Sequence, residues 1–101
     1  MKETFGQYIK MLRVNKGLTL TQLAAQLDLD SANLSKIENG KRDFDQKRLS
    51  KLAEAFNLSN KEVEEEYVSD RLAKQIYEMD CSAELLKVAE EKAEYRRTFK
   101  K

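Results

Sequence analysis

Apolar residues recur along this chain at helical spacing, and no stretch alternates in the manner of a strand. Phe5, Ile9 and Leu12 stand at i, i+4 and i+7, one stripe of a helix predicted over residues 4–15 and closed by Gly17. Leu20, Leu23, Ala24 and Leu27 form the inner face of a second helix, residues 20–27, with Thr19 as its N-cap. The turn Asp28-Leu29-Asp30 follows. Asp28 is expected in the left-handed conformation, Leu29 in the core, and Asp30 as the cap of a third helix over residues 31–39 that Gly40 ends. A fourth helix, residues 46–56, is capped by Asp45. It buries Leu49, Leu52, Ala53 and Phe56, and Leu58 closes the core behind it. Ser59 to Glu62 reads as a capping box that opens a fifth helix, in which Val63 and Tyr67 keep the stripe going. The apolar phase changes at Ser69-Asp70, which predicts a stop there and a sixth helix holding Leu72, Ala73, Ile76 and Met79. Asp80-Cys81-Ser82 breaks the pattern, and a last helix runs from Ala83 toward Phe99.

Composition agrees with an all-α fold, because proline is absent and only three glycines interrupt 101 residues. With 41% apolar and 37% charged residues the chain can bury one modest core. Nothing approaches the ~18 apolar residues of a membrane span, and no signal-like apolar segment follows the first residues. Both absences predict a cytoplasmic protein with no membrane partner. Histidine is absent and Cys81 stands alone, so one chain can build neither an internal disulfide nor a Cys/His zinc site. Cys81 reads as a small, half-buried residue rather than a redox sensor. There is no glycine-rich phosphate loop and no nucleophile motif, and the carboxylates sit on charged helical faces. These features predict no enzyme, no cofactor and no metal.

The near-neutral total hides an asymmetry. Residues 1–58 hold 10 Lys and Arg against 7 Asp and Glu, a net +3, while residues 59–101 hold 9 against 11, a net −2. The basic part contains a helix suited to nucleic acid. At ~100° per residue, Leu34 and Ile37 mark the inner side of the third helix. Ala32, Ser35, Lys36 and Asn39 then face outward, flanked by Ser31 and Asn33. A face this small and polar can approach base edges: Asn pairs with adenine, Lys with guanine, Ser with several edges, and Ala touches a thymine methyl. Lys41 and Arg42, just past the helix, are placed to hold phosphates. A plain solvated helix face would look the same in isolation.

The wider grammar resembles the helix-turn-helix regulators of the phage-repressor (Cro/CI, xenobiotic-response-element) type. The resemblance covers residues 5–58. It rests on Leu12-Arg13, Gly17-Leu18-Thr19, Gln22-Leu23-Ala24, the string from Leu34 to Arg42, and the string from Leu49 to Phe56. It implies a five-helix repressor-like DNA-binding domain, residues 1–68, with residues 69–101 as a C-terminal helical extension. It further implies operator binding as a homodimer, with two recognition helices in successive major grooves ~34 Å apart. By carry-over, Ser31, Ala32, Asn33, Ser35 and Lys36 read bases, and Thr21, Gln22, Asn39, Lys41 and Arg42 touch the DNA backbone. Arg13 and Glu38 match an ion pair that ties helix 1 to helix 3. Leu20 departs from the pattern, standing where many members carry a phosphate-contacting glutamine. Asp28 stands where glycine is common, and Asp43 and Asp45 bring negative charge near the presumed DNA face.

The extension allows three readings. Leu85, Val88, Lys92, Tyr95 and Phe99 follow a 3, 4, 3, 4 spacing, about two heptads with a lysine in the seam. That stripe fits packing against the preceding helices, a dimer interface, or docking of a second protein. The run Glu64-Glu65-Glu66 reads as a solvated face, and Arg96, Arg97, Lys100 and Lys101 reach DNA backbone only if the tail folds toward it. Two functions follow. One is a transcriptional regulator, repressor or autoregulator of a neighbouring operon such as a restriction–modification or toxin–antitoxin locus, bound to the nucleoid when engaged. The other is a helix-turn-helix interaction module, antitoxin-like or adaptor, that holds another protein through residues 59–101.

Overall fold

The computed structural model describes residues 3–99, and every regular element among them is helical, in keeping with the all-α expectation. The order is α1 (Phe5–Asn15), α2 (Leu20–Gln26), α3 (Ser31–Glu38), a 3-10 turn (Gln46–Arg48) leading into α4 (Leu49–Ala55), α5 (Asn60–Met79) and α6 (Ala83–Arg97). Lys100 and Lys101 lie outside the described residues. The chain divides into two compact units, one running to Asp70 and the other starting at Arg71.

Local chemistry sets the helix ends. Thr4 is the cap of α1 rather than its first residue. Its hydroxyl accepts from the Gln7 N–H at 3.1 Å, and the Gln7 side chain returns the bond to the Thr4 N–H at 2.9 Å. Thr19 and Gln22 repeat this capping box at α2, at 3.1 and 2.8 Å. Asp30 caps α3 through the Asn33 N–H at 2.7 Å, Asp45 caps the 3-10 turn through the Lys47 N–H at 3.0 Å, and Ser82 caps α6 through the Leu85 N–H at 3.1 Å. Asp28 adopts the left-handed conformation, φ 61°, expected of it, and Gly17 and Gly40 do the same at 74° and 76°.

In the first unit one core joins Phe5, Tyr8 and Ile9 of α1 to Leu23 and Leu27, Leu34 and Ile37, Leu49 and Leu52, and Val63 and Tyr67 of α5. Leu12, Leu20, Leu29, Phe56 and Leu58 pack around it, half-buried. Phe5 is the aromatic hub: its ring lies 5.5 Å from Phe44 and 5.3 Å, edge-on, from Tyr67, whose hydroxyl donates to the Phe44 carbonyl.

One sequence expectation fails here. No helix ends at Ser69-Asp70; α5 is a single helix of 20 residues. The Ser69 hydroxyl does not cap a new helix but donates back to the Glu66 carbonyl at 3.2 Å, as serine does inside helices. The phase change is real but needs no break. At ~100° per residue, Val68, Leu72, Ile76 and Met79 lie on the side of α5 opposite Val63 and Tyr67. One helix thus carries two apolar stripes, and only the first is buried.

In the second unit α6 buries none of its residues. Among the described residues no helix is long and apolar enough to cross a membrane.

Candidate nucleic-acid interface

The site is built around α3, whose inner side is anchored by Leu34 and Ile37. What distinguishes this helix is how firmly the surrounding backbone holds it. Gly6 of α1 meets the last turn of α3 at backbone distance. A Cβ there would collide with the Ile37 carbonyl oxygen and lie 2.9 Å from that of Glu38, so only glycine lets α1 pass. Arg13 then grips the same turn. Its Nε donates to Glu38 Oε2 at 2.8 Å and its Nη2 to Oε1 at 3.0 Å, a two-pronged pair, while Nη1 reaches the Leu18 carbonyl at 3.0 Å. Glu38 is only 5% exposed. The hydrogen-bonded carboxylate raises the guanidinium pKa further above its ordinary value.

Arg48 performs the matching task at the turn between α2 and α3. Its Nε donates to the Leu27 carbonyl at 2.9 Å and its Nη2 to the Asp28 carbonyl at 3.2 Å, while Asp45 accepts from its Nη1 at 3.0 Å. The guanidinium therefore satisfies carbonyls left open at the end of α2 and braces a residue in the left-handed region. Gly6 and Arg48 carry no sequence signal of this role, because the groups they meet are backbone atoms of distant turns. Phe44 is equally silent: it sits in a polar loop and reveals its burial only through the Phe5 and Tyr67 rings.

On the outer side, Ser31, Ala32, Lys36 and Asn39 are exposed or nearly so, with Ser35 and Asn33 half-buried or flanking. Two of these side chains already donate hydrogen bonds. The Asn33 amide donates to Asp30 Oδ2 at 3.0 Å, and the Asn39 amide donates to the Ser35 carbonyl at 2.9 Å. Thr21 and Gln22 are exposed in the first turn of α2, where the capping box uses the Gln22 amide oxygen and leaves its NH2 group for another acceptor. Leu20 turns into the core margin, as an apolar residue should. Lys41 and Arg42 are exposed beyond Gly40, and among the described residues neither they nor Lys36 is held in an ion pair. Asp45 is tied to Arg48. The described residues contain no cluster that could hold a metal ion.

Two helices joined by a braced turn, the second presenting a small polar face with unpaired cations at its end, define a helix-turn-helix unit of the DNA-binding class. The helix-turn-helix family profile matches residues 9–62, and the chain belongs to that family, of Cro/CI type. It is 40% identical over 57 residues to the HTH-type transcriptional repressor RghR of Bacillus subtilis (strain 168), covering 55% of this chain and 42% of that protein. The chain thus spans less than half the length of that relative. It is 38% identical over 64 residues to control protein C.MunI of a Mycoplasma species, covering 62% of this chain and 86% of that protein. The crystal structure of the restriction-modification controller protein C.AhdI from Aeromonas hydrophila superposes with a TM-score of 0.53 at 34% identity, over 58% of this chain and 89% of the other.

Proposed function

We propose that this protein is a sequence-specific transcriptional regulator, a repressor or autoregulator, that binds operator DNA as a homodimer through the major groove. The observation that carries this reading is the outer face of α3: Ser31, Ala32 and Lys36 on a helix braced at both ends, followed by unpaired Lys41 and Arg42. In this assignment Ser31, Ala32, Asn33, Ser35 and Lys36 read base edges. Thr21, Gln22, Asn39, Lys41 and Arg42 hold the phosphate backbone. Asn33 and Asn39 exchange their present partners for DNA, so Lys36 is the strongest single reader. Residues 1–68 form the DNA-binding domain and residues 69–101 the element that joins the protein to another chain. The names of the repressor and controller relatives support regulation, and the controllers favour a restriction–modification operon over other neighbouring genes.

Selection of bound sequences from a random DNA pool, at near-physiological salt, tests this. The expected outcome is an enriched two-fold symmetric site with half-sites one turn, ~34 Å, apart. Sequence-blind retention that disappears with added salt would overturn it. That result would promote the second reading, an interaction module, which draws on the exposed apolar side chains after Asp70.

A further inference from the structure

A 15-residue helix with no buried residue is poorly provided for, since isolated helices of ~12–15 residues are marginal in water. Yet α6 is not a uniformly polar helix. Leu85, Val88 and Tyr95 of α6 and Phe99, two residues past its end, are 50%, 45%, 64% and 68% exposed and share one stripe, interrupted only by Lys92. The Tyr95 and Phe99 rings already stack edge-to-face at 4.9 Å along it.

The charges beside the stripe say what covers it. With Leu85, Lys92 and Phe99 at heptad position a and Val88 and Tyr95 at d, one flank carries Glu84, Glu91 and Thr98 and the other Ala89 and Arg96. In a parallel pair these unlike flanks meet, and Glu91 of one copy faces Arg96 of the other, twice by symmetry. The same packing seats each Lys92 beside Glu91 of the other copy. In an antiparallel pair like flanks meet, and Glu91 would face Glu91. Among the described residues neither Glu91 nor Arg96 is held in an ion pair, whereas the Glu94–Arg97 pair lies on the outer side. We propose that α6 pairs in parallel with α6 of a second copy of this chain, through the Leu85–Phe99 stripe and reciprocal Glu91–Arg96 bridges. The pairing rests on the homodimer that operator binding calls for and specifies its seam. Because it is read without DNA, its failure and a failure of operator binding are separate results.

The test uses the full chain. Sedimentation equilibrium should show a concentration-dependent dimer. Glu91→Lys and Arg96→Glu should each weaken it roughly tenfold, since each breaks two bridges and opposes like charges, and the double exchange should recover most of that loss, short of full restoration because it sets a cation beside Lys92. On a Cys81→Ser background, Lys92→Cys should form an interchain disulfide under mild oxidation, because a parallel seam brings the two positions within the ~4.4–6.8 Å that a disulfide spans. Lys92→Leu should tighten the dimer and shows that the stripe, rather than folding, is being read. A monomer at ~100 μM, a dimer indifferent to both charge reversals, a dimer strengthened by Glu91→Lys, or a dimer that fails to cross-link through Lys92→Cys would each overturn the proposal.

Discussion

Tyr8 carries a hydroxyl that is fully buried and has no hydrogen-bond partner, on a ring that is only 3% exposed. Leaving such a group unsatisfied costs on the order of 1–3 kcal/mol against a partnered one. Tyr8→Phe should therefore keep or raise stability, by up to ~1 kcal/mol, in a urea melt near neutral pH; a drop in stability larger than that would show a bond the fold depends on. The same burial, with the carboxylates of Glu62, Glu66 and Glu3 nearby, raises the Tyr8 pKa above its ordinary value. The sign follows from linkage. As pH climbs past about 10, the unfolded chain releases this proton while the folded chain keeps it, so stability falls with rising pH. The advantage of Tyr8→Phe over the parent should widen in that window, and parallel pH profiles would refute the assignment. At the proposed DNA-facing side the residues are assigned different roles. Lys36→Ala should abolish preference for the selected site with the melting temperature unchanged. Lys41→Ala should weaken all sequences alike and lower the slope of log affinity against log salt by ~1, the share of a single neutralised phosphate.

At the scale of elements, the crossing of α1 over the end of α3 is the joint on which the proposed interface depends. Alanine is a better helix former than glycine by ~1 kcal/mol, so propensity alone favours Gly6→Ala. The Ile37 and Glu38 carbonyls in the path of the new Cβ reverse that expectation. Because the obstructing atoms are backbone, the two helices must separate, and a net destabilisation of roughly 1–3 kcal/mol is expected. DNA binding should fall further than the smaller folded fraction explains, since α3 is displaced. Equal changes in a urea melt and in affinity would leave Gly6 a purely structural residue. The joint also shows what the sequence could reveal. Caps at Thr19 and Asp30 and the left-handed turn at Asp28 were legible, because they act on atoms two or three residues away. So was the inner side of α3, which follows from helical period. Gly6, Phe44 and Arg48 were not, because their partners lie on elements distant in sequence. The continuous α5 was missed for a different reason. An apolar stripe that moves to the opposite face of a helix looks, in one dimension, like a helix that stops.

At the scale of the whole molecule, the charge partition and the apolar stripes assign different work to the two ends of the chain. The first 58 residues carry the net +3 and the braced helix; the remainder carries the net −2 and the exposed stripe of α6. A single helix-turn-helix with a handful of cationic contacts binds specific DNA weakly, and joining two of them makes the second half-site an intramolecular event. If the chain binds operator DNA as the proposed dimer, occupancy depends on dimer formation, and a seam weakened by a central lysine would place that equilibrium within reach of protein concentration. An autoregulator benefits from such a seam, because its own level becomes the signal. Lys92→Leu separates the two ends. It lies far in sequence from every proposed DNA contact, so it should leave the selected sequence and the affinity at saturating dimer unchanged. At low protein concentration it should raise occupancy severalfold and make the binding curve less steep, as the dimer persists to greater dilution. A titration of labelled operator with parent and variant, taken well below and well above the dimer dissociation constant, reads both effects. An unchanged curve at low concentration, from a variant shown by sedimentation to dimerise more tightly, would mean that the chain reaches DNA one copy at a time.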